Sequence, residues 1–159
     1  MEDNILLLLR RLHLIVEQYL GSQMKIQDIS PSQGFVLYSL YARRGRAAYA
    51  SELHKELGLS KSALSATLGA LKEKGYLKII SSPADDRKKQ ITLTEKAAAL
   101  EDRMRTFLFQ QQEALCRNIP PPRRDALKKE LQTMIANIHE NTQGGIQHGK
   151  NTIEAGGGL

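Results

Sequence analysis

The chain lacks the features that mark several whole classes of protein. Cys116 is the only cysteine in 159 residues, so no disulfide framework can hold the fold. No apolar run approaches the roughly 18–20 residues of a membrane span. The longest, Ile5–Leu9, follows acidic Glu2 and Asp3 rather than the basic lead of a signal peptide. A cytoplasmic protein with no membrane partner is the expectation. There is no Gly-rich phosphate loop and no Ser or Cys nucleophile in a recognisable motif. Asp85-Asp86 sits among turn formers rather than in a catalytic setting. His13, His54, His139 and His148 are scattered, and no Cys/His pair has metal spacing. The chain is therefore expected to be no enzyme, with no metal and no cofactor.

What is present is ordinary in amount and uneven in distribution. Hydrophobic residues make up 41% and charged residues 25%, enough for one folded domain. Lys and Arg number 23 against 17 Asp and Glu, a formal net charge of +6. Residues 43–90 hold eleven of the basic side chains and five of the acidic ones, so the rest of the chain is neutral. One central segment carries the whole surplus. A local positive field is what a polyanion-binding module needs, because neutralised phosphates release counterions. A merely uneven solvated surface would give the same count.

Helical spacing dominates both ends. Between Asn4 and Leu20, Ile5, Leu8, Leu12, Ile15, Val16 and Tyr19 recur at three- and four-residue intervals. Leu6, Leu7 and Leu9 lie off that stripe, which suggests a subunit contact or extra core burial. Ser30-Pro31 then starts a helix to about Ala42, with Phe35, Val36, Leu40 and Tyr41 available for burial. Thr94-Glu95 opens a long helix to about Asn118, with Leu100, Met104, Phe107, Leu108 and Leu115 on its apolar side. After Pro120-Pro121-Pro122, a last helix spans 123–141, with Leu127, Leu131, Met134, Ile135 and Ile138 on one face. From Gln143 the pattern collapses into a glycine-rich tail, read as mobile.

The middle of the chain carries the functional signal. Ala50–Leu57 is a short amphipathic helix, Gly58-Leu59-Ser60 a tight turn, and Lys61–Lys74 a second helix with Leu64, Leu68 and Leu71 inward. The opposite face offers Lys61, Ser62, Ser65, Ala66, Gly69 and Lys72, all small or basic. Helix, glycine turn and helix is the helix-turn-helix pattern, although an ordinary helical hairpin reads alike. A face without bulk lets the second helix sink into a major groove about 12 Å wide. After Gly75, strand-like Tyr76–Ile80 and Gln90–Leu93 flank a polar connection ending in Arg87-Lys88-Lys89. A β-hairpin with a basic tip directly after a helix-turn-helix is a winged helix. Arg87 can enter a minor groove while Lys88 and Lys89 meet phosphates. Asp85 and Asp86 would fix the wing's shape by pairing with Arg87 or capping the loop.

Asp85-Asp86-Arg87 followed by Ile91-Thr92-Leu93-Thr94 resembles the wing signature of the MarR (multiple antibiotic resistance regulator) family. Ser51-Glu52-Leu53 with Leu57–Ser60, and Leu71–Leu77, resemble that family's helix-turn-helix core. The resemblance covers roughly residues 4–142. It implies a mainly α (α+β) winged helix-turn-helix fold whose N- and C-terminal helices form an intertwined dimerisation domain. In that division residues 1–30 and 95–142 dimerise, 31–94 bind DNA, and 143–159 form the tail. It implies a homodimer on a pseudo-palindromic operator in double-stranded DNA, usually a repressor, released by a small aromatic or lipophilic effector. Arg87 matches the family's wing arginine and Asp85 its wing aspartate, while Ser62, Ser65 and Ala66 fall where the family reads bases. Ala66 stands where many members have arginine, and Ala97 where a glycine is common. Effector-pocket candidates on the first two helices are His13, Glu17, Phe35, Tyr38 and Tyr41. Some relatives sense oxidants through a cysteine in the first helix. Cys116 lies elsewhere and reads as a structural thiol. A redox-responsive regulator acting through Cys116, or a non-specific architectural DNA-binding protein, are the alternatives.

Overall fold

A computed structural model of the chain describes residues 4–26 and 28–148; the side chains of Asp86, Arg87 and residues 143–148 fall outside that description. The chain divides into two units, Met1–Gln112 and Glu113–Leu159. In the first, Asn4 caps α1 (Ile5–Gln23), its side chain accepting the Leu6 N–H at 2.9 Å. A full capping box starts α2 (Pro31–Ala42): Ser30 accepts from the Gln33 N–H, and the Gln33 side chain accepts from the Ser30 N–H. Next come β1 (Ala48–Tyr49), α3 (Ala50–Leu57), α4 (Lys61–Glu73), β2 (Leu77–Ser82) and β3 (Asp85–Leu93). Then follow α5 (Glu95–Ala98) and α6 (Glu101–Leu115), whose last turn begins the second unit. The three strands form one antiparallel sheet in the order β1-β3-β2.

One core holds the first unit together. Val36, Leu37, Leu40 and Tyr41 of α2 pack with Leu53, Leu64, Leu68, Leu71, Tyr76, Leu77, Ile91, Leu100 and Met104. Each fully buried aliphatic side chain contributes about 1.5–3 kcal/mol. Phe35, expected inside, is 41% exposed, and Leu37 takes the buried position. The stripe of α1 is also largely exposed: Ile5, Leu8, Leu12, Ile15 and Tyr19 all face outward, and Leu20 alone on that helix is buried.

Three expectations about elements are corrected. The long helix after Thr94 is broken between Ala98 and Glu101 and ends at Leu115. At the break the Ala97 carbonyl accepts the Tyr41 hydroxyl at 2.7 Å and the Leu100 N–H at 3.0 Å, so the regular ladder is interrupted. The wing is longer than its alternating residues suggest. Ser82 pairs with Asp85 and Ser81 with Lys89, so β3 bulges over residues 86–88. The last helix, α7, runs Pro121–His148, beyond the expected end near residue 141. Residues 149–159 of the expected tail lie outside the described residues.

In the second unit Arg124 organises the turn between α6 and α7. Its guanidinium donates to the carbonyls of Ile119 and Cys116, at 2.6 and 3.0 Å, and to Glu113 Oε1 at 2.5 Å. Cys116 is partly buried in that turn. Along α7, Leu127, Leu131, Ile135 and Ile138 are exposed. Among the described residues no helix is long and apolar enough to cross a membrane.

Tyr41 gives a pH-dependent test of this core. Burial, with a smaller contribution from the Glu101 carboxylate, pushes its phenol from 10.0 up to about 12. The folded chain thus holds the proton more tightly than the unfolded one. The stabilisation is full below the ordinary value and fades as pH rises toward the folded one. Tyr41→Phe removes the bond to Ala97 and should cost about 1 kcal/mol in urea unfolding near neutral pH. The gap between the two proteins should be narrower at about pH 11 than at about pH 8. A gap that widens with pH would contradict this account of Tyr41.

Candidate nucleic-acid interface

The turn between α3 and α4 is set by its backbone. Gly58 caps α3 with φ 65° and ψ 15°, a left-handed conformation that a side chain resists. The imidazole Nδ1 of His54 meets the Leu59 carbonyl and closes the turn over the last residues of α3. Ser60 then caps α4 by accepting the Ala63 N–H at 3.1 Å. With Leu64, Leu68 and Leu71 buried, Lys61, Ser62, Ser65, Ala66 and Lys72 are all exposed on α4.

The far end of α4 is joined to the wing. Gly75, at φ 80°, closes a Schellman motif in which the Gly75 N–H donates to the Lys72 carbonyl and the Tyr76 N–H to the Leu71 carbonyl. Thr94, at the base of the hairpin, donates its hydroxyl to the Gly75 carbonyl at 2.7 Å and its N–H to the Tyr76 carbonyl at 3.1 Å. The Lys96 ammonium donates to the Lys74 carbonyl and lies 4.3 Å from the centre of the Tyr76 ring. Burial and then the neighbouring Asp28 carboxylate raise the Tyr76 phenol above its ordinary value. Lys74 itself turns inward, donating to the Asp28 carbonyl and to Gln33 Oε1.

These elements enclose a groove of about 740 Å³. Ser51, His54 and Lys55 of α3 line one side. Lys61, Ser65, Gly69 and Lys72 of α4, with Lys89 of the wing, line the other parts of its rim. Leu64, Leu68, Ile79 and Ile91 form an apolar floor. Among the described residues no carboxylate lines it. The acids of α3 are instead held toward α2: Arg43 donates to Glu52 at 3.2 Å and to Glu56 at 2.8 Å, and Ser39 donates to Glu56 at 2.7 Å. Charge is therefore sorted by helix face, cations outward and acids neutralised behind.

Lys61, Ser65, Lys72 and Lys89 thus share one groove, while Ser62, Ala66 and Lys88 are exposed outside its lining. Asp85 is half-buried and pairs in register with Ser82. The side chains of Asp86 and Arg87 lie outside the described residues, although their backbone runs through the β3 bulge. The five effector candidates do not line this groove. His13 pairs with Glu17 at 3.6 Å on the exposed side of α1, and Phe35 and Tyr38 are each 41% exposed. Tyr41 is a core residue spent on the Ala97 carbonyl rather than a pocket wall. Ser51, His54 and Lys55 were not singled out for this surface in the sequence; their spacing puts them on one face of α3 and was the available signal. Among the described residues no three His, Cys, Asp or Glu groups converge as a metal site.

Fold and groove together define a winged helix-turn-helix protein. Residues 27–88, which carry α2 to the β3 bulge, match the sequence model of the MarR family. Among curated proteins none matches the chain in sequence. Among solved structures, Bordetella bronchiseptica BpsR, whose DNA binding is regulated by 6-hydroxynicotinic acid, is 24% identical at a TM-score of 0.74, covering 84% of this chain and 94% of that one. The S. aureus MepR–DNA complex is 20% identical at 0.73, covering 86% and 98%. CouR from Rhodococcus jostii RHA1, bound to p-coumaroyl-CoA, is 19% identical at 0.74, covering 84% and 93%. At these identities the likeness establishes the fold.

The turn yields a direct test. Gly58→Ala should destabilise the chain by about 1–2 kcal/mol in thermal or urea unfolding, because a Cβ opposes the left-handed conformation. Gly58→Asn should lose less. Equal losses for the two would show that strain at the turn is not the cause.

Proposed function

We propose that this chain is a sequence-specific DNA-binding transcriptional regulator, acting as a repressor that a small organic effector releases. The observation that carries the reading is the groove between α3, α4 and the wing, rimmed by Lys55, Lys61, Lys72 and Lys89 with no carboxylate lining it among the described residues. Those ammonium groups suit a phosphate backbone. Ser62, Ser65 and Ala66 are assigned to base edges, the hydroxyls as donors or acceptors and Ala66 against a thymine methyl. Lys88 and Lys89 are assigned to phosphates and Arg87 to the minor groove, with Asp85 and Asp86 shaping the wing.

A homodimer is supported by apolar side chains left outside the core. Ile5, Leu8, Leu12 and Ile15 on α1 and Leu127, Leu131, Ile135 and Ile138 on α7 are exposed at helical spacing. A single copy rarely leaves so many large side chains in water, and two-fold dimers are the commonest assembly. Two copies would place their α4 helices in successive major grooves about 34–36 Å apart. Effector release draws support from BpsR and CouR, each of which is associated with a small organic compound. DNA as the partner implies action in the cytoplasm. Among the described residues Cys116 is partly buried, which favours the structural thiol over a redox sensor.

Selection of binding sites from randomised duplexes tests the reading. Enriched sequences should be two-fold related and bind about 10³-fold or more tighter than random duplex. Lys72→Ala should lower the slope of log affinity against log salt by about one. Arg87→Ala should weaken binding with folding intact. Absence of any enriched sequence would favour the architectural reading instead, and absence of duplex binding would reject both.

A further inference from the structure

Lys74 caps the end of α4 inside the basic segment, yet it does not share the exposure of its neighbours. Lys61 and Lys72 are exposed, whereas Lys74 is half-buried. Its ammonium donates to the Asp28 carbonyl and, at 2.9 Å, to Gln33 Oε1. One oxygen of the Asp28 carboxylate lies 4.0 Å from that ammonium, and the other accepts the Tyr76 hydroxyl at 3.3 Å. The anchor on the far side is itself fixed. Ile26 and Ile29, on either side of Asp28, are buried in the core. Gln33, also buried, accepts the Ser30 N–H within the capping box of α2. Thr94 and Lys96 bind the α4–β2 junction to the base of the wing and to α5. Lys74 and Tyr76 bind the same junction to the entry into α2.

We propose that Lys74 is a positioning residue for base recognition, its ammonium pinning the end of α4 to Asp28 and Gln33 so that the side chains at the start of α4 meet a duplex in one register. The proposal rests on the DNA-binding reading. Ser60 fixes the other end of the helix. Lys74 and Ser65 lie about 21 Å and about 7.5 Å from Ser60 along the axis. A swing of about 2 Å at Lys74 therefore moves Ser65 by about 0.7 Å. That exceeds the spread of about 0.5 Å over which N–H···O distances are found. Long lysine side chains on phosphates follow such a shift by changing rotamer. Loss of the tether thus costs sequence discrimination rather than general affinity.

Lys74→Met keeps the length and helix propensity of the side chain and removes its ammonium. Binding is measured on the selected duplex and on a random one, each over a salt series, with circular dichroism to report folding. The selected duplex should bind about tenfold more weakly, as much as one wrong base pair costs. The random duplex should lose less than about twofold, and the salt slope should not change, because no phosphate contact is removed. Lys74→Arg, which can still donate to both oxygens, should restore most of the discrimination. Tyr76→Phe keeps the buried ring and should weaken the selected duplex alone by about threefold, the weight of one hydrogen bond. Where Lys74→Met does not fold, that variant decides, and equal discrimination by it and the unaltered chain overturns the proposal. Equal weakening of both duplexes by Lys74→Met, with a slope lower by about one, would make Lys74 a phosphate contact and overturn it. Undiminished discrimination by a folded Lys74→Met would overturn it while the DNA reading stands. If the unaltered chain binds both duplexes alike, or neither, the sequence-specific reading fails and the proposal falls with it.

Discussion

The burial of Leu64, Leu68 and Leu71 on one side of α4 decides where everything else on that helix points. Three leucines at four- and three-residue spacing can all be buried in only one rotation of the helix. That rotation turns Lys61, Ser65 and Lys72 to the outside. Rolling the helix to hide the lysines would expose the leucines, at about 1.5–3 kcal/mol each. The fixed ends act on the same helix. Gly58 and Ser60 set its start, and the Gly75–Tyr76 junction with Thr94 fastens its end to the wing. α4 and the wing are thus positioned by neighbouring backbone hydrogen bonds rather than by a flexible linker.

Electrostatics complete the surface. The basic surplus of residues 43–90 would be of little use if Glu52 and Glu56 shared its face. Arg43 and Ser39 hold both carboxylates toward α2, and Lys74 is drawn inward to Asp28 and Gln33. What remains outward is a cationic rim over an apolar floor. This separation of charge by helix face links the core to the proposed chemistry, since the residues that neutralise the acids are the ones that dock α3 on α2.

Much of this was legible beforehand. Residue types with strong local chemistry marked their elements well: Ser30-Pro31 began α2, Gly58 and Ser60 bounded the turn, and Gly75 ended α4. Other features depend on contacts that no local pattern encodes. The break at Ala98–Glu101 follows from the Tyr41 hydroxyl, 56 residues away in sequence. The two-residue β1 is too short for any alternation to reveal and exists through its pairing with Gln90 and Ile91. The wing's polar residues 81–89 read as a loop because their strand pairing is made by backbone groups. Phe35 and Leu37 exchanged roles because every position of α2 from 35 to 38 is apolar or aromatic, so periodicity could not choose a face. Of the groove's lining, α4 and the wing carry composition that stands out in the sequence, whereas Ser51, His54 and Lys55 join it only once α3 closes the groove.

The most direct measurement of the central claim is amide hydrogen exchange with and without the selected duplex. Protection should concentrate on the start of α3, along α4 and on β2–β3, with the middle of α7 unchanged. Protection confined to α1 or α7, with α4 exchanging at the same rate in both states, would contradict the account.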